Sequence, residues 1–156
     1  MSVYDKLSQL GIALPPVAIP AAAYVPFVQT GNLIFLSGHI AKKDGKPWVG
    51  QLGLTMTTEE GTAAARASAK ALPGTRAAAC LAGGETRADA QPTGHVMSLV
   101  NSTGTYTEQH LVTNGCSELL GEVFGPQAGA HARSAFGVAQ IPMGACVEIE
   151  LIAELG

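Results

Sequence analysis

Along the chain, apolar positions change their spacing in a way that sets out strands first and helices later. Two apolar runs, residues 24–29 and 32–37, flank Thr30 and Gly31, the pattern of a hairpin. Pro26 assigns the first run to a sheet edge, since proline has no N–H for an inner ladder. Asp44 followed by Gly45 supplies a second turn. Thr57 with Glu60 forms a capping-box pattern ahead of the Ala-rich residues 59–72, predicting a helix that Pro73 and Gly74 end or kink. Residues 96–100 (VMSLV) resume a strand-like pattern. Thr105 with Glu108 repeats the capping-box pattern, and Leu111/Val112, Gly115/Cys116, Leu119/Leu120 and Val123/Phe124 then recur every four residues, with Gly125 and Pro126 as the stop. Residues 132–140 and 145–155, around IPMG, predict two antiparallel strands joined by a tight turn. In the second, Val147, Ile149, Leu151, Ala153 and Leu155 alternate with Cys146, Glu148, Glu150, Ile152 and Glu154, giving a buried face and a mixed one.

Two stretches lack such periodicity. Residues 1–20 end in the proline-rich LPPVAIP, which predicts an extended N-terminal arm over the surface. Residues 83–95 (GGETRADAQPTGH) fit neither helix nor strand and are long for a connection. The element order predicts an α+β fold, a mixed β-sheet covered on one side by two helices. The opposite sheet face, rich in small and apolar residues, then needs cover that an oligomer would supply.

Composition narrows the class. The 156 residues suit one domain, and 47% hydrophobic against 13% charged residues excludes a disordered chain. Residues 7–41 hold no Asp, Glu, Lys or Arg, but four prolines keep the run from the ~18 continuous apolar residues a spanning helix needs. No secretory signal is evident, and three cysteines without a CxxC pair argue against a disulfide framework or structural zinc, so a cytoplasmic location is expected. Net charge is −3, and Lys42, Lys43 and Lys46 form the one basic cluster, so nucleic acid is not an expected partner. GxGxxG, GxxxxGK[ST] and GxSxG are absent, as is metal-ligand spacing among the four histidines.

Against this background Arg133 stands out. It is the single Lys or Arg after Arg87, whereas residues 88–156 carry Asp89, Glu108, Glu118, Glu122, Glu148, Glu150 and Glu154. Its planar fork could hold a ligand carboxylate, or could pair with one of those glutamates. Glu148 and Glu150 could move protons beside a substrate, or form a solvated or interface face. Tyr24 could offer a hydroxyl or simply pack. His39 and His131 are candidate acid/base groups, and the cysteines sit in apolar contexts suited to inert core residues.

Three blocks, AYVPFVQTGNLIFLSGHIA, VNSTGTYTEQHLVTNGCSELLGEVFG and ARSAFGVAQIPMGACVEIELIAE, resemble the Rid/YjgF family of reactive-intermediate deaminases in order and spacing, and the leader resembles that of a longer branch. The resemblance implies a chorismate-mutase-like subunit in a homotrimer with a ligand cleft between subunits. It also implies hydrolysis of 2-imino acids, or their enamine tautomers, to 2-keto acids and ammonia, as in 2-iminobutanoate/2-iminopropanoate deaminases, without cofactor or metal. On that reading Arg133 holds the substrate carboxylate and Glu148 activates the water. Tyr24, Ser37, Gly38 and Asn114 line the cleft. A non-catalytic trimeric module for small carboxylate metabolites is the alternative. The chain departs from the family at Ala135, where better-known members have Cys, and across the atypical residues 73–95.

Overall fold

The computed structural model describes residues 3–13, 22–82 and 93–155. In chain order the elements are α1 (Val3–Gln9), β1 (Phe27–Thr30), β2 (Leu33–Ile40), β3 (Lys42–Lys43), β4 (Lys46–Pro47), α2 (Thr58–Ala69), α3 (Leu72–Ala82), β5 (Thr93–Asn101), α4 (Gln109–Ala128), β6 (Ala132–Val138) and β7 (Val147–Glu154). The main sheet has the order β1-β2-β7-β5-β6, antiparallel except for the parallel pair β5–β6. The first hairpin forms as expected, with Gly31 at φ +56° in its turn, and β1 is an edge strand just after Pro26. Asp44 and Gly45, both at positive φ, turn β3 into β4.

One sheet face is the core. Val147, Ile149, Leu151 and Ala153 of β7 are buried beside Ile34, Leu36, Val96 and Val100, all on one side by register. Over them lie Ala64, Ala65 and Ala69 of α2 and Val112, Cys116, Leu119 and Leu120 of α4. Thr57 caps α2 in a full capping box with Glu60. Gly115 is where α4 comes closest to α2, since a Cβ there would overlap the Thr62 carbonyl and lie 3.1 Å from the Arg66 nitrogen. Backbone cannot yield as a flexible side chain can, so Gly115→Ala is expected to lower stability by about 1–3 kcal/mol. Urea unfolding should show a reduced midpoint at unchanged slope.

The structure corrects five expectations. Residues 3–9 are helical, not part of an extended arm: Val3 and Leu7, four apart, are buried, and the helix closes in a Schellman turn. There Gly11 (φ +64°) donates to the Ser8 carbonyl at 3.0 Å and Ile12 to the Leu7 carbonyl at 2.9 Å. The proline-rich residues 14–20 lie outside the described residues. The helix α2 does end ahead of Pro73, at Ala69, but a new helix begins at Leu72 and takes in Pro73. That proline sits in the first turn of α3, where a missing N–H costs no hydrogen bond, so the atypical segment is helical through Ala82, and β5 already begins at Thr93. Residues 83–92 lie outside the described residues.

Thr105 and Glu108 make no capping box, because α4 starts at Gln109 and the Glu108 carboxylate instead accepts from the Thr58 hydroxyl. Gly125 (φ +84°) does break α4, but a further turn follows Pro126 before Gly129. Finally, β6 and β7 are not a hairpin, since β5 runs between them. The helix α4 carries the chain over the sheet so that β6 lies parallel to β5 on its outer side, leaving the other side of β5 to β7.

The second sheet face is open in this chain. Val28, Leu33, Phe35 and Phe136 are 55%, 42%, 41% and 42% exposed, and their register puts them on the face opposite the helices. No helix among the described residues is long and apolar enough to cross a membrane.

Candidate functional site

Arg133 lies on the edge strand β6, paired with Val96 of β5, and so on the helix-covered face. Its side chain runs along α4. Nη1–H donates to Ser117 Oγ at 3.0 Å and Nη2–H to the His110 carbonyl at 3.1 Å. Both acceptors are neutral, and no carboxylate pairs with Arg133 among the described residues. The expected competitors are elsewhere: Glu122 grips Arg66 of α2 through two bonds, at 3.1 and 2.6 Å, and Glu108 holds Thr58. A guanidinium has five N–H groups. Two are spent on α4, so three remain for a ligand. Asn114 is half-buried on the same helix, four residues after His110 and three before Ser117, which puts it on the face that meets Arg133.

Glu148 sits in a different setting. It pairs with Leu99 and Ile40 on the open face, next to Phe136 on the far side of Leu99. Its carboxylate rests on Gly38 of β2, where a Cβ would overlap it. Burial, and secondarily the charge of Glu150, raises its pKa above the ordinary glutamate value. Ser37 next door donates its hydroxyl to the Val25 carbonyl at 2.6 Å and its N–H to the Pro26 carbonyl at 3.0 Å. Those bonds tie down the segment carrying Tyr24, whose side chain is exposed. Gly38→Ala is expected to push the Glu148 carboxylate out of this seat. Its titration, followed by NMR, should move back toward the ordinary glutamate value.

The six candidate residues therefore fall into two half-sites. Arg133 and Asn114, with Ser117, form one; Glu148, Gly38, Ser37 and Tyr24 form the other. Val96 and Leu99 are three apart on β5, so their partners Arg133 and Glu148 point to opposite faces. Two strand spacings and three residue rises put their Cα atoms about 14 Å apart. A water held by Glu148 cannot reach a molecule held by Arg133 of the same chain.

Other candidates resolve into structural roles. His39 is mostly buried, with Nδ1 2.7 Å from the Ser37 carbonyl and Nε2 2.9 Å from the Thr75 hydroxyl, and burial lowers its pKa. Cys116 and Cys146 are buried thiols pushed up to about 12 and about 11, which leaves them protonated and unreactive. Ala135 follows Arg133 on the same face and brings no functional group. The residue that sequence reasoning passed over is Ser117. The i, i+4, i+7 spacing of His110, Asn114 and Ser117 on α4 was the available signal, but only contact with β6 gives it meaning.

Comparison with known proteins identifies relatives of the whole chain. The family model for endoribonuclease L-PSP matches residues 16–155. Protein TCP17 of Trypanosoma cruzi is 43% identical over 157 residues, covering 98% of this chain and 94% of that protein. Among solved structures, a protein of unknown function from Agrobacterium tumefaciens is 32% identical with a TM-score of 0.84, covering 99% of this chain and 94% of its own. A candidate endoribonuclease from Shewanella oneidensis is 28% identical with a TM-score of 0.88, covering 99% and 100%.

Proposed function

Because the chain belongs to the endoribonuclease L-PSP family, also called Rid/YjgF, we propose that it hydrolyses 2-imino acids, or their enamine tautomers, to 2-keto acids and ammonia. The observation that carries this reading is Arg133, a guanidinium anchored by two neutral acceptors and matched by no carboxylate of its own chain among the described residues. Such a group is prepared for a carboxylate from outside. The substrate's imine carbon is already electrophilic and needs orientation, a proton donor and an aimed water.

In the proposed reaction Glu148 takes a proton from water while the water oxygen bonds to the imine carbon. The C=N electron pair moves to nitrogen, which takes that proton back from Glu148 to give a carbinolamine. The carbinolamine hydroxyl then yields its proton to Glu148 as the keto C=O forms and the C–N bond breaks, and Glu148 passes this second proton to the leaving nitrogen, which departs as ammonia. No redox change occurs. The raised pKa of Glu148 suits this exchange, because a base closer to neutrality both accepts and returns a proton more readily.

Since Arg133 and Glu148 face opposite ways, the site is completed by a second copy: the β6 edge of one subunit meets the Tyr24, Gly38 and Glu148 half-site of the next. Repeated head to tail, such a contact closes into a ring, for which we propose a homotrimer. The exposed Val28, Leu33, Phe35 and Phe136 supply an apolar face for that assembly. The test is to generate 2-imino acids with an amino-acid oxidase and follow their loss with purified protein. Acceleration is expected. Carboxylate binding without acceleration, for every side chain tried, would reduce the protein to a binding module.

A further inference from the structure

Behind Arg133 stands a second layer, and its hydrogen bonds have a fixed direction. The Gly129 carbonyl can only accept, so the 2.7 Å contact to His131 Nδ1 places the ring proton on Nδ1. In the neutral ring Nε2 then carries a lone pair. Ser117 Oγ, 2.8 Å away, must therefore donate to Nε2. With its one proton committed to His131, the Ser117 oxygen presents lone pairs to Arg133 Nη1–H at 3.0 Å. The relay from the Gly129 carbonyl through His131 and Ser117 thus ends in an acceptor aimed at the guanidinium.

We propose that Ser117 and His131 are positioning residues for Arg133: they hold the guanidinium in place through neutral groups, so that it is oriented without being neutralised. This rests on the reading of Arg133 as the carboxylate anchor. The chemical advantage lies in the choice of partner. A glutamate at position 117 would orient the same guanidinium more strongly, but would also satisfy its charge and compete with the incoming carboxylate. A serine alone could turn its proton toward Arg133 and repel it. His131 removes that option, which is why the two act as one unit, with His131 working only through Ser117.

The experiment measures imine hydrolysis and, independently, the mobility of the Arg133 side chain by 15N NMR of its guanidinium. Ser117→Ala is expected to raise KM about fivefold, equivalent to about 1 kcal/mol, with kcat within about twofold. His131→Leu should raise KM about two- to threefold. That effect should vanish in the Ser117→Ala background, since a residue acting through another has nothing to act on once it is gone. Ser117→Thr, which keeps the hydroxyl, and His131→Gln, which returns an acceptor, should each restore most of the loss. In the NMR arm, guanidinium rotation should quicken in Ser117→Ala and His131→Leu, a readout that does not require turnover. Unchanged rotation in both variants overturns the proposal, as does an additive double mutant. If Arg133→Ala leaves KM untouched while guanidinium rotation responds to Ser117 and His131, the anchor reading falls and the relay stands.

Discussion

Arg133→Ala is expected to lower kcat/KM for 2-imino acids about 10²–10³-fold, with the fold intact. The side chain sits on an edge strand and on the surface of α4, bonding among the described residues only to Ser117 Oγ and the His110 carbonyl, so its loss opens no cavity in the core. What disappears is the charge-assisted fork for the substrate carboxylate, and truncating one partner of such a pair costs about 2–5 kcal/mol. Arg133→Lys restores the charge but not the planar fork, so it should recover only part of the activity. The check is imine decay after oxidase treatment of several amino acids, with circular dichroism to confirm folding. Equal acceleration by wild type and Arg133→Ala would remove Arg133 from the site.

Glu148→Gln is expected to reduce kcat about 10²–10⁴-fold while KM changes little, the signature of a lost general base rather than lost binding. The amide fills the same seat against Gly38, and being neutral it avoids the burial cost that raises the Glu148 pKa. The sign of the pH effect follows. A carboxyl whose pKa is raised in the folded state favours folding relative to its ionised form at acid pH, and that contribution is lost as pH rises through the folded pKa. Stability of Glu148→Gln should therefore equal or exceed that of wild type near neutrality. Activity runs the other way: wild-type kcat should fall as pH drops and Glu148 takes up its proton, with an inflection above the ordinary glutamate value of about 4.3. A kcat for Glu148→Gln within twofold of wild type would exclude the base role.

The two variants also test the division of the site. Arg133 and Glu148 face opposite sides of one sheet, so with the proposed cleft between copies an assembly containing both Arg133→Ala and Glu148→Gln subunits would rebuild some intact clefts, each drawing its Arg from one copy and its Glu from another. Mixed assemblies, made by co-expression, should recover a fraction of wild-type rate that neither variant shows alone.

Much of this was legible in the order of residues. The capping box at Thr57 and Glu60, the hairpin turn at Gly31, the four-residue apolar recurrence of α4 and the alternation of β7 are local signals, set by hydrogen bonds and burial within a few residues. Arg133 could be singled out because a lone cation in an apolar strand is conspicuous against so many glutamates. Where reading failed, a distant partner decided. Glu108 matched a cap for its own helix and was taken by Thr58, fifty residues earlier. The Val3/Leu7 pair gained its meaning only from the surface of α4 on which α1 packs.

The sequence by itself determined the types of β1, β2, α2, α4 and β7, the buried face of β7 and the residues with chemistry to offer. Only the tertiary structure decided how they combine. Placing β5 between β6 and β7 is a matter of which strand edges meet after α4 crosses the sheet, and no local pattern encodes that choice. Yet it is this placement that puts Arg133 and Glu148 on opposite faces, sets neutral acceptors against the cation, and leaves each chain with two groups of candidate residues that its own sheet keeps apart.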